Sequence, residues 1–468
     1  MTKTNTHLRH LGTSVLSACL LLAGCGGGTS TLEGKATDGT GTQQQALSSG
    51  ELGGSGTASS VTKVRVGTLK ADGTLDVVAE EKIDADGHYS LQVPSGEKRL
   101  ILEAVDGSGA VRASAIVAST GSSASTVKVS PLTTETSVEA KVFAQMIASG
   151  VKAEEANAVD VRARINATTA EAVRSSSNAE ADIKALAEAV AAAERAQVQA
   201  YAQAGVQTSQ SALFDASVDA AVKLDAALDA AATADAEAKA YEDFLASVHA
   251  KWKEKATSSK NAAKGERAAS AAFRATIRAR LQVSGQAADP VADAAVRCAA
   301  SLEARVTADA FQSALQAGAA ADAVVTASQN ATAQLKSSLS ASTTAAASAQ
   351  AYAAFRATVV GSGDVNGTVL GNYLGVNVTT SATANTALTA SATAATQLDA
   401  SLNAAYTATI KASEQIDFSA LADKIVTAYA AYDTQVEAQA ASLATFGSKA
   451  SVAVDLMVEA QGSMRASE

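Results

Sequence analysis

Histidine is scarce in this chain, and so are the residue arrangements on which most catalytic and metal sites depend. Of the four histidines in 468 residues, only His88 and His249 lie beyond the first ten positions, and they are too far apart in sequence to suggest a shared site. No spacing of a nucleophile and a base is visible, so we expect no enzymatic activity, no cofactor and no metal. The run Asp84–Gly87 hints at calcium chelation, but no distal acid follows in register, which favours a hairpin turn.

Proline and aromatic residues are also few, whereas alanine is abundant after residue 135. The chain has only three prolines and 4% aromatic residues, so it contains long alanine-rich stretches without proline, which are compatible with helices. Alanine buries little surface, so a core built from it gains less from water exclusion, at ~25 cal/mol per Å² of apolar surface. The chain is long enough for two or three domains, of which the alanine-rich part depends on close packing of its helices.

Cysteine occurs only at positions 19, 25 and 298. The first lies in an apolar leader and the second directly follows it, so modification of Cys25 after removal of the leader would leave one thiol and no possible intramolecular disulfide. Arg297 could lower the pKa of the Cys298 thiol, but no partner base is visible nearby. We therefore expect Cys298 to be a small, buried, apolar residue.

The predicted leader occupies residues 1–24 and ends directly before Cys25. Lys3 and Arg9 precede a mostly apolar run over residues 11–22, which has the length of a signal-peptide core and is too short to span a bilayer. The run closes with Leu22-Ala23-Gly24-Cys25, and this tetrapeptide resembles the lipobox of bacterial lipoproteins.

The resemblance implies a lipid anchor on Cys25. In that family the peptide is cut just before the cysteine, here between Gly24 and Cys25, and acyl chains on the thiol and the new amino group hold the protein in the membrane. In that family a residue other than aspartate directly after the cysteine usually sends the protein to the outer membrane, and Gly26 fits this pattern. The alternative is an ordinary cleaved signal peptide followed by an incidental cysteine. The sequence does not indicate whether the protein lies on the periplasmic or the surface face of the membrane.

Residues 25–60 are rich in Gly, Ser, Thr and Gln and predict a flexible tether, in which residues 31–39 are an optional first strand. Over residues 61–130 apolar and polar residues alternate, as in Tyr89–Val93. Asp-Gly and Ser-Gly pairs separate the alternating runs and are hairpin signals. We expect a small antiparallel β-sandwich here.

The run Ile83–Gly96, with Asp86-Gly87, Tyr89, Leu91, Val93-Pro94 and Gly96, resembles the core of carboxypeptidase-regulatory-like (transthyretin-like) modules. The resemblance covers about residues 31–130, with a long polar insertion after the first strand. It implies a module without an activity of its own, which props other domains or binds glycans and proteins at cell surfaces.

After Pro131 the apolar residues recur at intervals of three and four, beginning with Val138, Val142 and Phe143. Thr134 or Thr136 is the expected cap of the first helix. We predict a long antiparallel alanine-rich helical bundle over residues 131–468, interrupted by a Gly-rich connection at 361–377, which is either an exposed functional tip or only a link. The fold class is therefore α+β and mainly α.

Acidic residues outnumber basic ones, and the formal net charge of −10 argues against nucleic-acid binding. An acidic segment, residues 215–243, is nevertheless followed by a basic one. One hypothesis is a contact patch for lipopolysaccharide, phospholipid headgroups or peptidoglycan carboxylates. The favoured interpretation is a helical hairpin that turns near Ser258-Ser259 and has arms of complementary charge. The basic residues are Lys251, Lys253, Lys255, Lys260, Lys264, Arg267, Arg274, Arg278 and Arg280.

These patterns predict a membrane-anchored envelope lipoprotein with a structural or interaction role. Its partners would be the membrane, through the Cys25 lipid, and an envelope protein or polysaccharide. The alternative is a ligand-binding lipoprotein that uses a bundle groove or the sandwich loops for a glycan or an apolar molecule. A pocket of several hundred Å³ would favour the alternative. Its expected lining is the few aromatic residues, Tyr241, Phe244, Trp252, Tyr429 and Tyr432.

Overall fold

The computed structural model describes residues 28–36, 61–281, 289–362, 365–409 and 417–464, and within them the chain is α+β and mainly helical, as predicted. A small β-sandwich comes first and a helical domain follows it. None of the helices in these ranges combines the length and the apolar character that crossing a bilayer requires.

The sandwich consists of two facing sheets. The smaller sheet has the strand order β4-β1-β7 and the larger has the order β3-β2-β5-β6. Neighbouring strands are antiparallel, apart from β1 and β7, which pair in parallel. The strands are β1 (Thr29–Lys35), β2 (Val61–Leu69), β3 (Leu75–Lys82), β4 (His88–Pro94), β5 (Lys98–Asp106), β6 (Val111–Ser119) and β7 (Thr126–Lys128).

Alternation of apolar and polar residues determines which side of each sheet is buried. In β4, Tyr89, Leu91 and Val93 are buried while the residues between them face water. The optional first strand at 31–39 is a strand, but it begins at Thr29. It lies in the centre of the smaller sheet because Leu32 packs into the sandwich core.

The Asp84–Gly87 run is a turn. The Asp84 Oδ1 atom accepts hydrogen bonds from the backbone N–H groups of Asp86 (2.9 Å) and His88 (2.8 Å). Gly87 has a φ of +82°, a conformation that favours glycine. The Asp84 carboxylate therefore stabilises the link between β3 and β4. The run is a tight turn as expected, but it joins strands of different sheets and not the two strands of a hairpin.

Fourteen α-helices are present in the described part of the helical domain. Their short connections give many neighbours an antiparallel arrangement. They are α1 (Thr134–Ala148), α2 (Ala158–Arg164), α3 (Ala167–Ser175), α4 (Ala179–Gln203), α5 (Gln210–Ala230), α6 (Ala234–Ala256), α7 (Ser259–Leu281), α8 (Pro290–Ala317), α9 (Asp322–Ala341), α10 (Ala345–Val359), α11 (Thr368–Leu374), α12 (Ala382–Thr409), α13 (Phe418–Glu437) and α14 (Lys449–Gly462).

Side-chain caps explain where several of these helices begin. Thr133, and not Thr134 or Thr136, is the N-cap of α1; it forms a capping box with Thr136 at the third helical position. Thr133 is the N-cap because its backbone is extended, whereas Thr134 is already the first residue of the helix. Asp289 caps α8, in which Pro290 occupies the first position, where a missing N–H costs nothing.

Helix α7 lies at the centre of the helical domain, packed by α4, α8 and α13. Alanine, serine and glycine predominate on its buried side, so the neighbouring helices approach closely. At Gly265 a Cβ atom would lie 2.2 Å from Cε1 of Tyr201 on α4. Only glycine permits this approach.

The Gly-rich connection at 361–377 has more structure than a link or an exposed tip. Strands β8 (Gly361–Ser362) and β9 (Val365–Asn366) form a two-stranded ladder, and α11 follows. Val369 and Tyr373 of α11 are buried in the helical core. Apolar side chains at helical spacing within this segment explain why it folds back onto the domain.

The larger sheet docks on the helical domain. Ile101 and Ile116 belong to the same apolar core as helix α1. The Ser137 hydroxyl of α1 accepts a hydrogen bond from the backbone N–H of Ser114 in β6, at 3.1 Å. Burial of this face joins the two regions through a continuous interior.

Candidate functional site

The lipobox lies outside the described residues. Gly24 and Cys25, the proposed cleavage and lipidation positions, therefore have no structural description here. Lipidation of Cys25 stays a prediction from the sequence.

The basic segment is largely internal. Arg267 and Arg274 are buried in the centre of α7, and both form ion pairs with carboxylates. Lys251 and Lys255 on α6 are the more accessible members, and Lys251 pairs with Glu254 on its own helix. A contact patch built from all nine residues is therefore wrong, because its arginines face the interior.

The complementary-hairpin interpretation is also wrong in its partners. Within the basic segment Lys251 pairs with Glu254 on its own helix, and the other ion pairs join acids of α4, α8, α13 and α14 rather than residues 215–243. The nearest such pairs are Lys253–Asp309 (2.9 Å), Lys260–Asp455 (2.6 Å), Lys264–Asp433 (2.9 Å), Arg267–Asp433 (3.2 Å), Arg274–Glu303 (2.5 Å) and Arg280–Glu188 (2.5 Å). Burial of an arginine requires a partner at a defined place in three dimensions, and α4, α8, α13 and α14 supply it.

The acidic segment meets the sandwich instead. Asp215 lies 2.7 Å from Lys98 and Asp229 lies 3.8 Å from Lys128, the last residue of β7 in the smaller sheet. The Arg99 guanidinium lies 3.8 Å above the centre of the Phe214 ring. The face of α5 that carries these residues therefore holds the sandwich in place.

A second buried ion pair links α2 to α7. The Arg164 guanidinium binds both oxygens of Glu266, at 3.1 and 3.2 Å, and its Nε atom donates to Asp160 at 3.0 Å. Burial raises the pKa of Glu266, although Arg164 opposes the shift. The bidentate geometry fixes the position of α2 against the central helix.

The aromatic residues of the helical domain fill its core rather than line a pocket. Phe244, Trp252 and Tyr432 are each at most 2% exposed. The Tyr432 hydroxyl donates to the Val458 carbonyl at 3.2 Å, and the Tyr429 hydroxyl donates to that of Gly462 at 3.4 Å. These contacts place both tyrosines in the packing between α13 and α14.

A cleft of about 760 Å³ lies on the sandwich, where the smaller sheet meets the end of β3 and helix α5. Carboxylates and lysines line it together with apolar surface, to which Ile83 and the Tyr89 ring belong. Lys128 lies between Glu33 (3.4 Å) and Asp229 (3.8 Å) at one side. The other charged or polar lining side chains are Lys35, Glu81, Lys82, Asp84, His88, Tyr89 and Ser90.

Tyr89 forms part of the floor of this cleft. Its hydroxyl is buried and has no hydrogen-bond partner, and a Cβ atom on Gly34 would lie only 2.3 Å from it. Burial raises the pKa of Tyr89, with a further contribution from Asp225 and Asp229. The hydroxyl is therefore held neutral beneath the backbone of β1.

Neither His249 nor Cys298 forms a reactive arrangement. His249 is buried, with its Nε2 atom 3.5 Å from an Asp309 oxygen. Hydrogen bonds from His249, Lys253 and Ser259 hold the pKa of Asp309 well below its usual range. The Cys298 thiol lies 3.8 Å from the Ala163 carbonyl, and burial raises its pKa to about 12. The thiol therefore behaves as a packing group.

Sequence reasoning missed the buried charges of α2. The segment Ala158–Arg164 contains Asp160, Arg162 and Arg164 in seven residues, and it looks like a solvated turn. The available signal was the i,i+4 spacing of Asp160 and Arg164, which does not reveal burial.

Within the described ranges, no group of three or more His, Cys, Asp or Glu side chains has the arrangement of a metal site. The observations that bear on function are therefore the cleft, the docked sandwich and the leader. A search of protein-family models, curated proteins and solved structures gave no match to this chain.

Proposed function

We propose that this protein is an outer-membrane lipoprotein with a structural or interaction role and without catalysis. Acyl chains on Cys25 would anchor it, and the Gly/Ser-rich segment up to residue 60 would place the folded part near the membrane. The support for the anchor is the leader together with the tetrapeptide Leu22-Ala23-Gly24-Cys25 at its end.

The observation that carries the structural role is the docking of the sandwich on the helical domain. Ile101 and Ile116 share a core with α1, and Lys98 pairs with Asp215 across the boundary. Two regions that pack through apolar and charged contacts together move as one body, which suits a spacer or a scaffold. An envelope protein or a polysaccharide is the proposed partner.

Metabolic labelling with an alkyne fatty acid tests the anchor. The wild-type chain should be labelled and should remain in the membrane fraction, whereas Cys25→Ser should lose both properties. Cys298→Ser is the matched control, since the buried thiol of α8 plays no part in anchoring. Mass measurement of the native amino terminus should show acyl groups on Cys25; an unmodified terminus would overturn the proposal.

A second candidate function is ligand binding, and the cleft on the sandwich favours it over a site in the helical domain. The mixture of carboxylates, lysines and one histidine beside apolar surface suits an amphipathic polar ligand such as a glycan. The cleft draws its lining from two sheet edges and α5, so docking of the sandwich would be required for binding.

Titration calorimetry with a panel of neutral oligosaccharides tests this second candidate. If the cleft binds a glycan, Glu81→Ala and Lys35→Ala should each weaken the affinity. Gln92→Ala is a suitable control because Gln92 lies on the same strand as His88 but outside the cleft lining. Equal loss of affinity in the control would place the binding elsewhere.

A further inference from the structure

A cluster of buried charges lies where the sandwich is joined to the helical domain. We call it the junction cluster and define it as Ser130, Glu135, Glu139, Arg162, Asp225 and Tyr241. Ser130 follows the last strand of the sandwich, and the remaining members come from α1, α2, α5 and α6. The cluster therefore connects the exit of the sandwich to four helices.

Arg162 is the centre of the junction cluster. Its Nη1 atom donates to Asp225 Oδ1 at 2.6 Å and its Nη2 atom donates to the Ser130 hydroxyl at 2.9 Å. The Ser130 hydroxyl in turn donates to Asp225 at 2.5 Å. These three side chains form a closed hydrogen-bonded ring in a buried site.

Glu139 is less well satisfied. One of its oxygens lies 3.3 Å from Arg162 Nε, yet neither oxygen has a hydrogen-bond partner, and the side chain is 1% exposed. Glu135, one turn earlier on α1, is half-buried, and this burial, Glu139, Tyr241 and Arg162 all influence its pKa. Three carboxyl groups thus share a single guanidinium.

The charges balance only if two of the three carboxyl groups are protonated. Asp225 has the shortest contact with Arg162 and accounts for its positive charge. Ionisation of Glu139, which is fully buried, would then leave an uncompensated negative charge in a site of low dielectric, which is strongly unfavourable; Glu135 is half-buried, so its ionisation adds a smaller penalty.

We propose that the junction cluster is a proton-dependent latch, which holds the sandwich against the helical domain while Glu135 and Glu139 are protonated and weakens when they ionise. This latch is independent of the lipid anchor. Its effect is to make docking of the sandwich sensitive to the pH around the protein.

The direction of the pH effect follows from the burial of the two glutamates. Burial raises the pKa of Glu139 to about 7 and that of Glu135 to about 8, from 4.5. A carboxyl group with a raised pKa in the closed state stabilises that state fully below pH 4.5, and this stabilisation is lost as the pH rises to about 8. Between these limits each proton released on opening raises the opening constant about tenfold per pH unit.

Other titratable and charged groups face the same site, and none supplies a second cation close to Glu139. Those that influence the two glutamates, or are influenced by them, are Arg162, Asp225, Glu237, Tyr241 and Cys298.

Hydrogen exchange of the full chain at pH 5.5 and pH 8.5 tests the latch, with rates corrected for the intrinsic pH effect. In the wild type, amides of β6 and α5 should lose protection at the higher pH. Glu135→Gln and Glu139→Gln should each reduce this difference, and the double variant should abolish it, because glutamine cannot ionise. Glu171→Gln, at an exposed pair with Arg174, should leave the difference unchanged.

Infrared spectroscopy provides a second measurement, which needs no comparison of stabilities. A protonated-carboxyl band should disappear between pH 5.5 and pH 8.5 and should be weaker in each single variant. The proposal is overturned if the double variant keeps the wild-type exchange difference, or if no such band is lost. If Glu139→Gln does not fold, the exchange and infrared measurements on Glu135→Gln alone test the latch. Glu135 is partly exposed, so its replacement should not prevent folding.

Discussion

The sandwich and the helical domain are stabilised by different kinds of core. The sandwich buries large apolar side chains, such as Leu32, Val66 and Leu102, and of its described charged residues only Asp106 is buried. The helical domain buries alanine on most of its helices and also buries arginines and glutamates, as at Arg164 and Glu266.

This difference shows what an alanine-rich core lacks. Alanine side chains are alike, so helices packed through them have few features that select one register over another. In the sandwich, alternation and turn residues select the register. We infer that buried ion pairs serve this purpose in the helical domain, since each pair is satisfied only when two particular helices are correctly placed.

Arg164→Met should have the largest effect on stability. The substitution keeps an apolar stem but leaves the carboxylates of Asp160 and Glu266 buried without their cation. We expect a loss of about 3–5 kcal/mol in the free energy of unfolding. Denaturant titration monitored by circular dichroism would measure it.

Arg174→Met is the control for that experiment. Arg174 pairs with Glu171 at the surface, and such pairs contribute at most about 1 kcal/mol. If the two substitutions cost the same, burial of Arg164 has no special role and the contrast between the two regions fails.

Leu102→Ala in the sandwich should cost somewhat less. Leu102 is fully buried and lies between Val66 and Ala115 on neighbouring strands. Loss of apolar contact together with the cavity left behind is worth about 2–5 kcal/mol. The measurement is again the free energy of unfolding, and hydrogen exchange should show the loss in β2 and β6 before the central helices. An equal loss of protection in α7 would show that the two regions unfold together.

Gly265→Ala tests the close approach of α4 and α7. In an exposed helix this substitution stabilises by about 0.5–1 kcal/mol. Here the new Cβ atom would collide with the Tyr201 ring, so we expect a loss of about 1–3 kcal/mol instead. Combination with Tyr201→Ala should remove the collision, so that the cost of the pair is less than additive. Calorimetric unfolding of the four proteins would show this.

Most of the fold was predictable from the sequence. Alternation in residues such as Tyr89–Val93, and turn pairs such as Asp86-Gly87, identified the strands. Intervals of three and four in α1 identified the helices. The first strand was harder to place, because only its partners show that Leu32 is buried.

The roles of the charges were not predictable. In the sequence, Arg267 and Arg274 look the same as the accessible Lys255, since all three stand in one basic run. Their burial depends on acids of α8, α13 and α14, which lie far away along the chain. Sequence spacing reports neighbours within one helix, whereas these pairs join different helices.

Tyr89→Phe should have the smallest effect and the opposite sign. The Tyr89 hydroxyl is a polar group buried in the sandwich without a partner, in contrast to the paired charges of Arg164 and Glu266 in the helical domain. An unpartnered hydroxyl loses its hydration on folding and gains nothing in return, so its removal should stabilise the sandwich by up to about 1 kcal/mol. Thermal unfolding would detect the gain, with Tyr432→Phe as the control that should lose stability, because the Tyr432 hydroxyl donates to the Val458 carbonyl. A loss of stability in Tyr89→Phe would mean that the Tyr89 hydroxyl forms a hydrogen bond in solution. Buried polar groups of the sandwich would then be paired, as Arg164 and Glu266 are in the helical domain.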